Sequence, residues 1–198
     1  MHPLTSRLRV LLLLALCVLA GCDRAQPAFD ATDITGADFG KSFSLTDQNG
    51  KRRSLADFRG QVVVVFFGYT HCPDVCPTTL AELASAVRKL GEAGNKVQVL
   101  LITVDPERDS PELLAKYVSA FNPRFLALRG TPEETARVAK EFKVIYEKVA
   151  GRTPENYSMD HSAGSYIFDP QGKLRLYVPY GRGADVFAHD IGLLLEQT

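Results

Sequence analysis

The chain has 198 residues, enough for one domain of ordinary size with a full hydrophobic core and a short appendage. Its 23 Lys and Arg balance 23 Asp and Glu with no basic block, so the electrostatic footprint of a nucleic-acid-binding protein is missing. It carries four cysteines, no internal repeat and no low-complexity segment.

At the N-terminus Arg7 and Arg9 precede an unbroken apolar run from Val10 to Ala20. A bilayer crossing takes about 20 residues, whereas a signal-peptide core takes about 7–15, and the run fits the second. It ends in Leu19-Ala20-Gly21-Cys22, which resembles the lipobox of bacterial lipoproteins. That resemblance implies cleavage before Cys22, lipid on its sulfur and placement at the periplasmic face of the inner membrane. An ordinary signal peptide or an uncleaved anchor is the alternative. Residues 1–21 are expected as the signal, 22–37 as lipidated cysteine and flexible tether, and 38–198 as the folded domain. Without Arg7 and Arg9 the mature chain carries about two net negative charges, from 21 basic against 23 acidic residues. The polar, aperiodic stretch from Asp23 to Phe39 would span roughly 20–25 Å as a coil. Cys17 leaves with the signal and Cys22 takes the lipid, so Cys72 and Cys76 remain for chemistry. An isolated pair in an exported protein is redox-active or metal-binding.

Phe43 to Thr46 alternates, Asp47-Gln48-Asn49-Gly50 turns, and Lys51 to Leu55 resumes, which predicts a β-hairpin. Gln61 to Phe67 is a β-branched and aromatic run, read as a buried central strand. A helix follows Pro77, with Leu80, Leu83, Ala84, Val87 and Leu90 at helical spacing, and stops near Gly91 and Gly94. Val97 to Val104 is a second buried strand. Asp109-Ser110-Pro111-Glu112 opens a second helix, Phe125 to Leu128 is a short strand, and Thr131-Pro132-Glu133-Glu134 is a capping box for a third helix. Gly164 to Phe168 and Leu174 to Val178 flank a turn at Asp169-Pro170-Gln171-Gly172, and a last helix runs from Ala184 to Leu195. The order implies an α/β thioredoxin-like fold with a mixed central sheet, helices on both faces and an extra N-terminal β-hairpin.

The first buried strand runs into Gly68-Tyr69-Thr70-His71-Cys72-Pro73-Asp74-Val75-Cys76-Pro77. In open α/β sheets ligands bind beyond the carboxyl ends of the strands, where this segment lies. Pro73 and Pro77 suit a first helical turn, and cysteines four apart share a helical face. A helix N-terminus favours thiolate over thiol. Three residues separate the cysteines, where thioredoxin-type oxidoreductases have two, yet a disulfide across four positions stays within reach. Spacing alone leaves both chemistries open. In thioredoxin-like folds the loop entering the next-to-last hairpin faces the cysteines and normally carries a cis-proline. Here that loop reads Tyr157-Ser158-Met159-Asp160-His161-Ser162, with histidine and no proline. Two thiolates and an imidazole suit copper, with zinc the main rival.

Three segments together, Phe67 to Pro77, Val104-Asp105-Pro106-Glu107-Arg108-Asp109, and Asp160-His161, resemble the SCO/SenC family over about residues 38–196. Those are copper proteins that assist cytochrome c oxidase assembly. The resemblance implies Cys72, Cys76 and His161 as ligands of Cu(I) or Cu(II), and the binuclear copper centre of cytochrome c oxidase subunit II as recipient. It also implies an upstream copper donor and an envelope thioredoxin-like reductase as partners. A thiol–disulfide oxidoreductase using Cys72 and Cys76 alone, and a copper or redox sensor, are the competing functions. A peroxiredoxin-type peroxidase is disfavoured, since Tyr69 stands where its pattern has threonine. His71 could tune the thiolates or bind metal in a second state and Met159 lend sulfur, but a solvated loop and packing are the readings for these two; Asp160 could orient a ligand or equally bond its own loop. His2 and His189 read as bystanders, and Asp105 to Asp109 as turn and cap residues without chemistry.

Overall fold

The computed structural model describes residues 28–153 and 156–197. In chain order the elements are β1 (Thr32–Asp33), β2 (Leu45–Asp47), β3 (Arg52–Arg53), β4 (Val62–Gly68), α1 (Val75–Lys89), β5 (Val97–Thr103) and α2 (Pro111–Ser119). They continue as β6 (Leu126–Arg129), α3 (Pro132–Glu141), β7 (Tyr146–Val149), β8 (Ser158–His161), β9 (Ser165–Phe168), β10 (Leu174–Val178) and α4 (Gly183–Glu196). Eight strands form one sheet in the order β1-β10-β9-β4-β5-β6-β2-β3. β4, β5 and β6 are parallel, while β9 runs antiparallel to β4 and β10 antiparallel to β9. This is the mixed α/β sheet that the element order implies.

β4 is buried at all seven residues, so both faces of the sheet are covered there. Each of its valines and phenylalanines contributes about 1.5–3 kcal/mol on burial, and that run fixes the strand that carries the cysteine turn. The helix starts follow their predicted caps. Ser110 Oγ accepts the Leu113 N–H at 3.2 Å. Thr131 Oγ1 accepts the Glu134 N–H at 3.2 Å while Glu134 Oε2 accepts the Thr131 N–H at 2.9 Å, a closed capping box. The N-terminal hairpin forms as β2 and β3, but Leu55 belongs to a 3-10 turn, Leu55–Phe58. Among the described residues no helix is long and apolar enough to cross a membrane.

Two features depart from the sequence reading. β7 and β8 form a separate two-stranded sheet, so His161 ends a strand and does not stand in a loop. Tyr146–Val149 is mostly exposed and too short for its alternation to register. The expected tether is the second correction. Its upstream part, with Cys22 and the signal, lies outside the described residues, but residues 29–37 are part of the domain. Phe29, Ala31, Ile34 and Ala37 pack on the core, and β1 pairs with β10. Wholly buried Asp190 accepts the N–H groups of Asp30 at 2.9 Å and Ala31 at 2.8 Å. A two-residue strand has no period to read, and its partners lie at the other end of the chain. His189, read as a bystander, joins the same anchor: its Nδ1 lies 2.8 Å from Asp190 Oδ1 and 3.4 Å from Asp30 Oδ2. The Asp190 contact raises the imidazole pKa.

Asp190→Ala leaves two amides without their acceptor and is expected to destabilise the fold by about 1–3 kcal/mol. Denaturant unfolding measures this; an unchanged midpoint would mean that the anchor is not formed in solution.

Candidate metal centre

β4 delivers the chain to the carboxyl edge of the sheet, where residues 69–74 turn into α1. The Cys72 N–H closes the turn onto the Tyr69 carbonyl at 3.3 Å. Cys72 precedes the helix, and its sulfur accepts the N–H of Cys76 at 3.5 Å and a backbone hydrogen bond from Asp74. The sulfur therefore stands where a capping oxygen usually stands, and the Asp74 side chain makes no cap of its own. Pro77 occupies the first turn as expected, while Pro73 lies ahead of the helix. The cysteines converge from turn and helix, not from one helical face.

Cys76 is the second residue of α1 and is fully buried. The sequence reading passed over Gly68, which makes this burial possible. A Cβ on Gly68 would lie 2.7 Å from Cys76 Sγ, so the sulfur occupies the space a side chain would take. A glycine ending a strand of valine and phenylalanine is the signal that could have revealed it.

His161 is half-buried at the end of β8, with Nε2 3.6 Å from Cys76 Sγ. Its Nδ1 is 3.0 Å from the Ser162 carbonyl, a contact that orients the ring so that Nε2 faces the sulfurs. Tyr69 stands edge-on to the imidazole, ring centres 6.0 Å apart. The ligand atoms of Cys72, Cys76 and His161 all lie within 4.8 Å of one another, and both cysteines are free thiols.

The two sulfurs share one charge. The Cys76 thiol donates to Cys72 and, with the N–H groups of Asp74 and Cys76, brings the Cys72 pKa down to about 5 against the opposing effect of burial. The same bond and deeper burial push the Cys76 thiol up. Soft sulfur and an imidazole lone pair facing one point can hold a soft metal ion, and the dithiol alone can form a disulfide.

Other residues singled out by sequence stand outside this cluster. His71 is exposed, with Nδ1 3.0 Å from Thr70 Oγ1. Asp160 is exposed across the hairpin from Glu147, and buried Met159 packs on the core while its backbone contacts the Tyr69 hydroxyl.

The sequence pattern of one family, described as SCO1/SenC, matches residues 31–196. The chain belongs to the SCO1/SenC family. It is 44% identical over 145 residues to the mitochondrial SCO2 homologue of Bos taurus, a match covering 72% of this chain and 54% of that protein. The chain thus spans just over half the length of the mitochondrial SCO2 relatives it matches. Among solved structures, Bradyrhizobium japonicum ScoI with copper bound is 40% identical with a TM-score of 0.71, covering 78% of this chain and 98% of that one. A SCO1/SenC family lipoprotein from Bacillus anthracis is 26% identical with a TM-score of 0.70, covering 84% and 99%. The family expected from the three sequence segments and the thioredoxin-like fold expected from the element order are both borne out.

In the reduced, metal-free protein, Cys72 is expected to alkylate first. Its rate should rise as pH increases through about 5, where thiol becomes thiolate, while Cys76 stays unreacted in the folded state. Mass spectrometry of iodoacetamide-treated protein checks this, and faster labelling of Cys76 would refute the assignment.

Proposed function

We propose that this protein takes up one copper ion on Cys72, Cys76 and His161 and delivers it for assembly of the binuclear copper centre of cytochrome c oxidase. The observation that carries this reading is the convergence of two sulfurs and an imidazole nitrogen within 4.8 Å. Membership of the SCO1/SenC family and the copper-bound state of the Bradyrhizobium relative support it. Copper, as Cu(I) or Cu(II), is here the cargo, and it suits this donor set. Its entry displaces the proton that Cys76 holds in the reduced protein. Lipid on Cys22 tethers the domain to the periplasmic face of the inner membrane; the Leu19-Ala20-Gly21-Cys22 sequence and the lipoprotein relative from Bacillus anthracis support that placement. The half-buried Cys72 is the sulfur that a recipient, subunit II of the oxidase, can reach first. An upstream donor loads the site.

A second reading, thiol–disulfide exchange on oxidase subunit II or other envelope thiols, is favoured by one observation. A lowered Cys72 thiolate beside a buried Cys76 thiol is the arrangement of an attacking and a resolving cysteine. Closing the Cys72–Cys76 disulfide passes two electrons and the pair's one proton to the partner's disulfide, which takes a second proton from water to become a dithiol, and removes both sulfur ligands. A dithiol reductase of the envelope returns them by exchange, itself becoming a disulfide.

Competition titration of the reduced protein separates the readings. Wild type is expected to bind one copper tightly. His161→Ala should weaken binding by more than the roughly 10–100-fold that a supporting residue costs, and Cys76→Ser should abolish tight binding. Unchanged affinity in His161→Ala would move the assignment to the dithiol alone.

A further inference from the structure

The two halves of the site come from separate parts of the chain, and the main sheet places only one of them. The cysteine turn grows out of β4. His161 sits on β8, which pairs with β7 and with no strand of the large sheet among the described residues. Register in the large sheet fixes the chain only from Ser165, four residues past His161, and leaves the placement of the hairpin to other contacts. Behind the hairpin is a small cleft of about 170 Å³, lined on one side by Val104 to Glu107 and on the other by Tyr146 and Lys148.

One five-residue turn, 105–109, reaches both halves. At one end Asp109 is wholly buried and accepts the Thr70 N–H at 3.2 Å and the Thr70 hydroxyl at 2.5 Å, two residues before Cys72. At the other end Asp105, 3% exposed, accepts the Tyr157 hydroxyl at 2.8 Å and Arg108 Nε at 2.5 Å. Arg108 Nη1 donates to the Tyr157 carbonyl at 2.9 Å, and the guanidinium lies 3.4 Å from the centre of the Tyr157 ring. Lys148 of β7 lies 3.8 Å from that ring centre and pairs with Glu107 at 3.0 Å. Thr103 joins the two ends: its hydroxyl donates to Asp109 Oδ2 at 2.5 Å and accepts the Asp105 N–H at 3.0 Å. Four residues on from Tyr157 the strand ends at His161.

We propose that the 105–109 turn is a positioning strut. Through Asp109 and Thr70 it holds the cysteine turn, and through Asp105, Arg108 and Tyr157 it holds the hairpin, so it sets the separation of His161 from the two sulfurs. None of these residues touches the ion. The inference rests on the copper reading and deepens it, since it makes affinity and ligand geometry depend on residues outside the ligand set. The buried carboxylates serve as fixed acceptors at the two ends of one rigid segment, which is how supporting hydrogen bonds orient metal ligands elsewhere.

The test uses the full reduced protein, Cu(I) competition titration, and the sulfur-to-copper absorption band of the Cu(II) form. Tyr157→Phe keeps the ring and removes one hydrogen bond, with circular dichroism reporting that the fold is kept. It is expected to weaken copper binding about tenfold and to shift the band. In a His161→Ala background the same change should alter affinity by less than about twofold, because that arm acts only through the histidine. Thr70→Val, on the other arm, should weaken binding in both backgrounds. Tight wild-type binding with Tyr157→Phe unchanged in affinity and band would overturn the strut and leave the copper reading standing. An equal loss with and without His161 would also overturn it, by reducing Tyr157 to general stability. Failure of wild type to bind copper would overturn both.

Discussion

The approach of His161 Nε2 to Cys76 Sγ, 3.6 Å across 85 residues of sequence, is the constraint on which the rest of the site depends. Three groups that each compete for a proton are brought to one point in a partly buried place. The reduced protein tolerates this by sharing. The Cys76 proton serves the Cys72 thiolate, α1 supplies its first amides to the same sulfur, and the Ser162 carbonyl holds the imidazole ring in place. Gly68 provides the room, since any larger residue at the end of β4 would collide with Cys76. The charge that a cation would neutralise is thus present before the cation arrives.

The site is also asymmetric, and the asymmetry suits transfer in the proposed function. Cys76 is locked in the core at the start of α1, whereas Cys72 is half-buried in the turn ahead of it. His161 comes from a hairpin joined to the body by side chains and not by a sheet ladder. A buried sulfur, an accessible sulfur and a nitrogen from a separate element allow a partner to replace ligands one at a time. A site with three ligands on one rigid element would have no such order of release.

Much of the architecture was legible because it is written in local pattern. The Val62 to Phe67 run, the Ser110 and Thr131 caps, and the Leu174 to Val178 strand all form where period and capping chemistry place them. The cysteine pair was legible from its place after a buried strand. His161 was legible as the residue facing the cysteines, but not as the end of a strand, because Ser158–His161 and its mostly exposed partner Tyr146–Val149 are only four residues each. Residues 29–37 read as tether because what orders them, Asp190 and β10, lies some 150 residues away. Asp109 read as a cap residue for the same reason: its partners Thr70 and Thr103 come from other strand ends. Long-range hydrogen bonds leave no periodic trace in sequence.

X-ray absorption at the copper edge of the loaded, reduced protein tests the central claim most directly. The account predicts two sulfur neighbours and at least one nitrogen neighbour per copper, with the nitrogen contribution lost in His161→Ala. Copper coordinated by sulfur alone in the wild-type protein, or a spectrum unaltered by His161→Ala, would contradict it.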